Sequence, residues 1–341
     1  MGAGGIGGIV AATLTELGSA VTAVSTNESI RAAVDKAGYR IIDEGEERTV
    51  RGWISPAPEG KYDLCVLATQ PPNVEDAART ALPHLVDDAL VVVLQNGLCE
   101  ERTAAIVGEQ RVLGAIVAWG ASMVEPGRYE RTAAGGFQLG RLAGPIDDDV
   151  RRVGELLEAI GPVTMTENLR GARWSKLAIN CAISTLGTLG GEALGKLMLQ
   201  LSVRRLALEI MTEVVHVARA EKISLEKVSG TLDLEWIALT ESERRAIGSP
   251  SLLAKHSMLL AVGARYRRMR SSMLAAIERG RPPSVDFLNG EVVSRGKKHG
   301  ISTPVNAHAT ALVWEIARGK RQPSQDTLRE LTRRAAVPGE A

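Results

Sequence analysis

Lys176, Asn180 and Ser184 fall at i, i+4 and i+8 within an otherwise apolar stretch, Trp174-Ser-Lys176-Leu-Ala-Ile-Asn180 onward. At helical periodicity all three project from one face. A lysine among Leu177, Ala178 and Ile179 either carries its ammonium outward along its own methylenes or points it into a polar cleft. The aligned asparagine and serine extend a polar stripe, which suits a face that binds something. A partly desolvated ammonium there can hand a proton to a carbonyl oxygen as hydride reaches the carbon. That is the chemistry of ketone reduction, and it needs a hydride donor.

The segment Gly2-Ala-Gly4-Gly5-Ile6-Gly7 fits G-x-G-x-x-G and leads into a helical pattern over residues 9–17. Glycines let the backbone turn tightly and approach a pyrophosphate, while the helix start offers unpaired N–H groups to the anion. A β-rich run over 20–24 (AVTAV) follows at the distance a dinucleotide-binding unit requires. After that run an acidic residue would select NAD and an arginine NADP. Ser25, Thr26 and Asn27 stand there instead, with Glu28 slightly late and Arg31 placed to fold back. Three neutral hydrogen-bonding groups suit a phosphate better than they replace a carboxylate, so NADP is expected ahead of NAD. The alternative is a solvated helix start with Asn27 as its N-cap.

Other reactive residue types carry less. His84, His216, His256, His299 and His308 are dispersed, and no pair has metal-ligand spacing, so no metal is expected. Cys65, Cys99 and Cys181 form no Cys-x-x-Cys pair, and Cys181 reads as a small core residue. Arg265, Arg267, Arg268 and Arg270 read as a solvated helix face, with a carboxylate clamp as the alternative.

The elements that must hold these groups emerge from pattern. The length, 341 residues, suggests two domains. Continuous apolar runs at 64–67 and 90–94 read as strands buried on both faces, separated by helix-like segments at 74–82 and 100–107. A last strand is expected at 163–165. Beyond it strand signals fade, and 151–160, 172–186, 203–221, 251–279 and 285–299 read as helices. The expected division is a dinucleotide-binding domain over 1–166, a helical substrate and dimerisation domain over 167–322, and a polar tail over 323–341. Lysine plus arginine (41) nearly cancels aspartate plus glutamate (40), and aromatics are 3%, which argues against nucleic acid as a partner. No run reaches membrane-spanning length and no basic-then-apolar leader is present, so a cytoplasmic location is expected. Apolar faces on the helical half leave a homodimer open. A dinucleotide fold needs a strand before its glycine turn, yet the glycines begin at residue 2, so a start upstream of Met1 is expected.

Taken in order, Gly2–Gly7, Gln95-Asn96-Gly97, Phe137-Gln-Leu-Gly140, Trp174-x-Lys176-Leu-x-x-Asn180, Ser271-Ser272-Met273, Asp286-x-x-Asn289-Gly290 and Gly300-Ile-x-x-Pro304-x-Asn306 make the chain resemble the ketopantoate reductase (2-dehydropantoate 2-reductase) family across nearly its full length. The resemblance implies a Rossmann-type α/β doubly wound parallel sheet followed by an all-α C-terminal domain of the 6-phosphogluconate dehydrogenase kind. It implies NADPH-dependent reduction of 2-dehydropantoate to pantoate, in the pathway to pantothenate. By position, Lys176 would be the proton donor. Asn96 would lie between nicotinamide and substrate, and Asn180, Ser184, Ser272 and Ser284 would occupy substrate-facing places. Gly2, Gly4, Gly5, Ile6, Gly7, Thr26, Gln70, Asn96 and Ala121 would face the cofactor.

Departures from the family pattern bear on the substrate and on the nucleotide. Ser284 stands where the family has a glutamate, Ser184 where it has a second asparagine, and Thr26 and Gln70 where it has an arginine and a lysine. The stretch 229–262 is longer than the usual connection. The expected function is therefore reduction of a small 2-oxo acid at a site between the domains. The alternatives are a related dehydrogenase for another oxo or hydroxy acid, and a non-catalytic dinucleotide-binding protein.

Overall fold

A computed structural model describes residues 1–227, 232–245 and 248–336. The chain divides into two compact units, Met1–Leu169 and Arg170–Ala341.

In the first unit, α1 (Gly5–Glu16) precedes β1 (Thr22–Val24), α2 (Glu28–Ala37), β2 (Tyr39–Asp43), β3 (Glu46–Val50), β4 (Trp53–Ser55) and β5 (Tyr62–Leu67). Then come α3 (Val74–Ala81), β6 (Leu85–Val93), α4 (Cys99–Val107), β7 (Val112–Val117), β8 (Gly120–Glu125), β9 (Arg128–Ala133), β10 (Phe137–Arg141), α5 (Asp148–Glu158) and β11 (Val163–Met165). The main sheet has the order β11-β10-β7-β6-β5, with β5, β6 and β7 parallel and β10 antiparallel to β7. Strand β6 lies between β5 and β7, and its Ala89–Val93 stretch is buried throughout, as in a strand covered on both faces. Strands β1 and β4 form a separate parallel pair.

The α/β class matches expectation, but an additional sheet, β3-β2-β9-β8, was not foreseen. Its strands carry charged stretches such as EERTV and RYERTA, so no apolar run marks them. Their buried side chains are few but large: Tyr39, Ile41 and Tyr129 lie against α1. Helix α1 also starts earlier than the apolar pattern, so Gly5 and Gly7 belong to the helix rather than to the turn.

The second unit is helical: α6 (Leu169–Gly190), α7 (Leu194–Met198), α8 (Leu201–Ala220), α9 (Leu234–Ile237), α10 (Glu241–Arg245) and α11 (Pro250–Arg265), then α12 (Ser272–Glu278), α13 (Asn289–Lys298), α14 (Pro304–Ala317) and α15 (Gln325–Ala336). The single helix expected over 251–279 is two, α11 and α12. The break is held from outside: Leu194 N donates to Met269 O at 2.9 Å, and a Cβ on Gly195 would sit 2.8 Å from Arg267 Cα. The 285–299 segment likewise splits at Leu288 (φ −116°, ψ −100°) into a 3₁₀ turn, Ser284–Phe287, and α13. Part of the expected polar tail is α15, which buries Leu328 and Leu331 in this unit's core. Within the long 229–262 stretch, α9, α10 and most of α11 are helical, while 229–231 and 246–247, like 337–341 of the tail, lie outside the described residues.

Two buried polar clusters hold the helices in register. Thr185 Oγ1 donates to Asn289 Oδ1 at 2.6 Å, and Asn289 Nδ2 donates to Asn306 Oδ1 at 2.9 Å. Asn306 Nδ2 donates to Glu213 Oε2 at 2.7 Å, and the Glu213 carboxylate also accepts the N–H groups of Val305 and Asn306 at the start of α14. Burial still outweighs these bonds and raises the Glu213 pKa above its ordinary value. Separately, Lys255 Nζ donates to Glu243 Oε2 at 2.6 Å and to Ala238 O at 2.8 Å, with both side chains almost fully buried.

Candidate active site

The first unit gathers its candidate residues at the carboxyl edge of its strands. Gly2 (φ +93°) makes the turn, and a Cβ there would meet Thr69 N at 2.8 Å. A Cβ on Gly5 would strike Ala121 O at 2.8 Å, and one on Gly7 would strike Gly2 O at 1.9 Å. Each of these glycines is required by the protein's own packing. Gly4 differs: a Cβ there meets no atom within 4 Å, so the space above the α1 N-terminus is open. That opening, next to the N–H groups of the first helical turn, fits a dinucleotide's pyrophosphate. Ile6 is half-buried beside it.

Around the turn stand the ends of three strands. Past β1, Ser25 is buried while Thr26 is exposed, and Arg31 Nη1 donates to Ser25 O at 2.8 Å. Asn27 caps α2, its Oδ1 accepting from Ile30 N at 3.2 Å. The capping alternative for Asn27 and the fold-back of Arg31 therefore coexist. Past β5, Gln70 is exposed. Past β6, Asn96 is exposed, whereas Gln95 is buried with its amide oxygen oriented to accept from Thr69 N and Oγ1 at 3.2 and 3.0 Å. Two positioning residues escaped the sequence reading. Gln95 ties the ends of β5 and β6 together. Tyr129 donates its hydroxyl to Ala3 O at 3.2 Å and lies against Gly8, where a Cβ would come within 2.3 Å of its ring. Nothing in the charged β9 sequence marks Tyr129 as a prop for the turn.

In the second unit, Lys176, Asn180 and Ser184 form a half-buried stripe along α6, joined by half-buried Ile179 and Ile183. The rest of this part of the helix is buried, so the polar stripe is the face that α6 leaves accessible within its unit. The side chains of Asn180 and Ser184 have no hydrogen-bond partner among the described residues. Helix α6 is anchored immediately before Lys176. Ser175 donates to Glu226 O at 2.6 Å, and Arg295 stacks 5.7 Å from the centroid of buried Trp174.

Ser271 and Ser272 divide their work. The Ser271 hydroxyl is buried, lies 2.8 Å from Ser184 O and 2.9 Å from Thr188 Oγ1, and accepts from Leu274 N as cap of α12. Ser272 is exposed at the first position of that helix. A Cβ on Gly187 would lie 3.0 Å from Ser271 Cβ, so glycine permits this close approach. Ser284 is half-buried in the 3₁₀ turn, next to Asp286, whose Oδ1 accepts from Trp314 Nε1 at 2.9 Å. Asn289 and Asn306 are consumed by the buried cluster. Arg265, Arg267, Arg268 and Arg270 are exposed at the end of α11 and in the turn after it. No grouping of histidine, cysteine or carboxylate side chains able to hold a metal occurs among the described residues.

A glycine-turn unit followed by a helical unit defines an NAD(P)-dependent oxidoreductase. Family profiles for the ketopantoate reductase PanE/ApbA match residues 1–144, and for its C-terminal part residues 168–317. The chain belongs to the ketopantoate reductase family. It is 26% identical over 321 residues to a 2-dehydropantoate 2-reductase of Pyrococcus horikoshii, covering 94% of this chain and 96% of that one. It is 28% identical over 312 residues to the Halobacterium salinarum enzyme of the same name, covering 89% and 93%. The crystal structure of a PanE/ApbA family ketopantoate reductase from Ralstonia eutropha JMP134 superposes with a TM-score of 0.78 at 26% identity, covering 94% and 98%. D-Mandelate dehydrogenase, solved with NADH and anilino(oxo)acetate, shares the fold at a TM-score of 0.80 and 19% identity, covering 93% and 97%. The chain is thus an oxo-acid reductase of ketopantoate-reductase type using a nicotinamide dinucleotide. No helix among the described residues is long and apolar enough to cross a membrane.

Proposed function

We propose that this protein reduces a small 2-oxo acid with NADPH, ketopantoate to pantoate being the first reaction to test. The observation that carries the proposal is the Lys176–Asn180–Ser184 stripe, the polar part of the one accessible face of a largely buried helix. Gly2, Gly4 and Gly5, with Ile6, Gly7 and Ala121 packed around them, would hold the pyrophosphate. Asn96 would meet the nicotinamide end, and Thr26 and Gln70 the adenosine end. When bound, the dinucleotide supplies hydride. The Lys176 ammonium holds a proton for the substrate's carbonyl oxygen, releasing it as that oxygen gains charge. Asn180, Ser184 and Ser272 orient the acid through neutral hydrogen bonds, and Ser284 shapes its far side.

Arg31 supports NADPH over NADH, because its guanidinium is already drawn to the end of β1 where a 2′-phosphate would lie. Arg31→Ala should reduce the ratio of NADPH to NADH affinity about tenfold, the value of one charge-assisted contact. Equal losses for both cofactors would remove Arg31 from nucleotide selection.

A second reading keeps the reaction and changes the acid. It rests on Ser284, which replaces a glutamate and leaves that position smaller and uncharged. Steady-state kcat/KM on ketopantoate against other 2-oxo and 3-oxo acids decides between them. Highest efficiency on ketopantoate supports the first reading. A better substrate elsewhere in the panel supports the second, and no turnover with any of them overturns both.

A further inference from the structure

Charge in the second unit is unevenly spread. Residues 265–281 carry six arginines, Arg265, Arg267, Arg268, Arg270, Arg279 and Arg281, against one carboxylate, Glu278, in a chain whose net charge is +1. All six are exposed, and none forms an ion pair among the described residues. Elsewhere in this unit arginines are matched: Arg205 pairs with Glu209, Arg219 with Glu235, Arg295 with Glu221 and Arg321 with Glu315. An uncompensated cluster raises the local concentration of small anions, which matched pairs do not.

The backbone that displays these charges is fixed. Arg267 and Arg268 are the central residues of a turn closed by Met269 N, which donates to Tyr266 O at 2.9 Å. Leu194 N donates to Met269 O at 2.9 Å, and the Ser271 hydroxyl lies 2.8 Å from Ser184 O. These bonds tie the turn to α7 on one side and to α6 on the other. Arg270 adjoins Ser271 and stands two positions from exposed Ser272. The guanidinium groups therefore extend from a held main chain at the Ser184 end of the polar stripe. The groups that would orient an acid there, Asn180, Ser184 and Ser272, are neutral, so none of them compensates a carboxylate.

We propose that Arg268 and Arg270, supported by Arg267, form an anion-collecting surface that captures the carboxylate of a small organic acid and brings it to the Ser184–Ser272 end of the stripe. This rests on the reading of the substrate as a 2-oxo acid. Guanidinium groups suit a carboxylate because their paired N–H donors match its two oxygens. Exposed ion pairs are weak, so the contact is one of transit: it concentrates the acid without trapping it. The division of labour follows. The arginines supply attraction at a distance, while the neutral groups of the stripe supply orientation at close range. Attraction of this kind is carried by charge and is screened by salt, with a Debye length of about 10 Å at 0.1 M.

The test measures binding of ketopantoate by NMR titration without nucleotide, at about 0.02 M and about 0.5 M salt. Four forms of the full chain are compared: wild type, R268Q/R270Q, R268K/R270K, and R151Q/R152Q, which makes the same change in net charge on exposed positions of α5. At low salt Kd should rise about tenfold in R268Q/R270Q, the low end of the gain from a focused field, and stay within about twofold of wild type in the other two variants. At high salt the four values should converge. With NADPH saturating, the change in R268Q/R270Q should fall on KM for the acid rather than on kcat or on KM for NADPH. Equal low-salt Kd values in all four forms overturn the proposal. So does a loss that lysine fails to restore, or one that falls on NADPH in place of the acid. Failure of the wild-type chain to bind ketopantoate or any other oxo acid of the panel overturns it as well. Binding is read without turnover, so an acid that binds through these arginines yet is never reduced supports the surface and counts against the assigned reaction alone.

Discussion

A single ammonium on α6 bears the proposed chemistry, and its neighbours show why it can act. Lys176 sits between a buried anchor, Ser175, and the polar positions Asn180 and Ser184. Lys176→Ala should lower kcat by about 10²–10⁴-fold, the range for a general acid. A change confined to KM would mean that Lys176 only binds substrate. The glycines permit a sharper comparison. Gly4 has φ −77° and open space around it, so Gly4→Val should leave Tm nearly unchanged while abolishing NADPH binding as read by fluorescence transfer from tryptophan. Gly7→Ala should instead unfold the turn, because its Cβ would fall 1.9 Å from Gly2 O. Comparable losses of Tm in both variants would contradict the assignment of Gly4 to ligand space.

At the level of elements, buried polar clusters determine how the helices pack, and they titrate. Burial opposes ionisation of Glu243, but hydrogen bonds from Lys255 and Thr240 bring its pKa down to about 2. A depressed carboxyl pKa contributes stability that is present above the unfolded value near 4.5 and is lost as pH falls toward 2. Lys255→Met leaves that carboxylate buried without its cation and should cost about 3–5 kcal/mol at pH 7. The deficit should shrink by pH 3, where the unpaired carboxyl is protonated, as urea titrations at the two pH values would show. A deficit independent of pH would mean that lost packing rather than charge is responsible. The same clusters explain why Asn289 and Asn306, prominent as motif residues, belong to architecture: each spends its side chain on buried partners.

For the molecule as a whole, the two units carry separate halves of the proposed chemistry, which hydrogen exchange can separate. NADPH should slow exchange at the glycine turn and at the ends of β1 and β6, while an oxo-acid substrate should slow it along α6 and at the start of α12. Protection of the second unit by NADPH alone with none in the first would reverse the assignment of roles.

Much of this was legible from residue order because the signals are local. A G-x-G-x-x-G turn, a four-residue repeat of polar side chains on an apolar helix and an apolar run such as LVVVL each report geometry through spacing alone, and β6, β11, α6 and the stripe on it lie where those patterns place them. Tertiary structure decided what depends on residues distant in the chain. Tyr129 supports the turn from 126 positions away, and Gln95 reaches across to the end of the neighbouring strand. The turn at Arg267 exists because α7 presses Gly195 against it, which no helical periodicity within 251–279 could reveal. Between Ser271 and Ser272, adjacent and chemically alike, only packing against α6 determined which hydroxyl is committed to the fold and which faces solvent. Local patterns encode direction along one element, whereas burial and hydrogen-bond partnership are properties of neighbours that folding alone brings together.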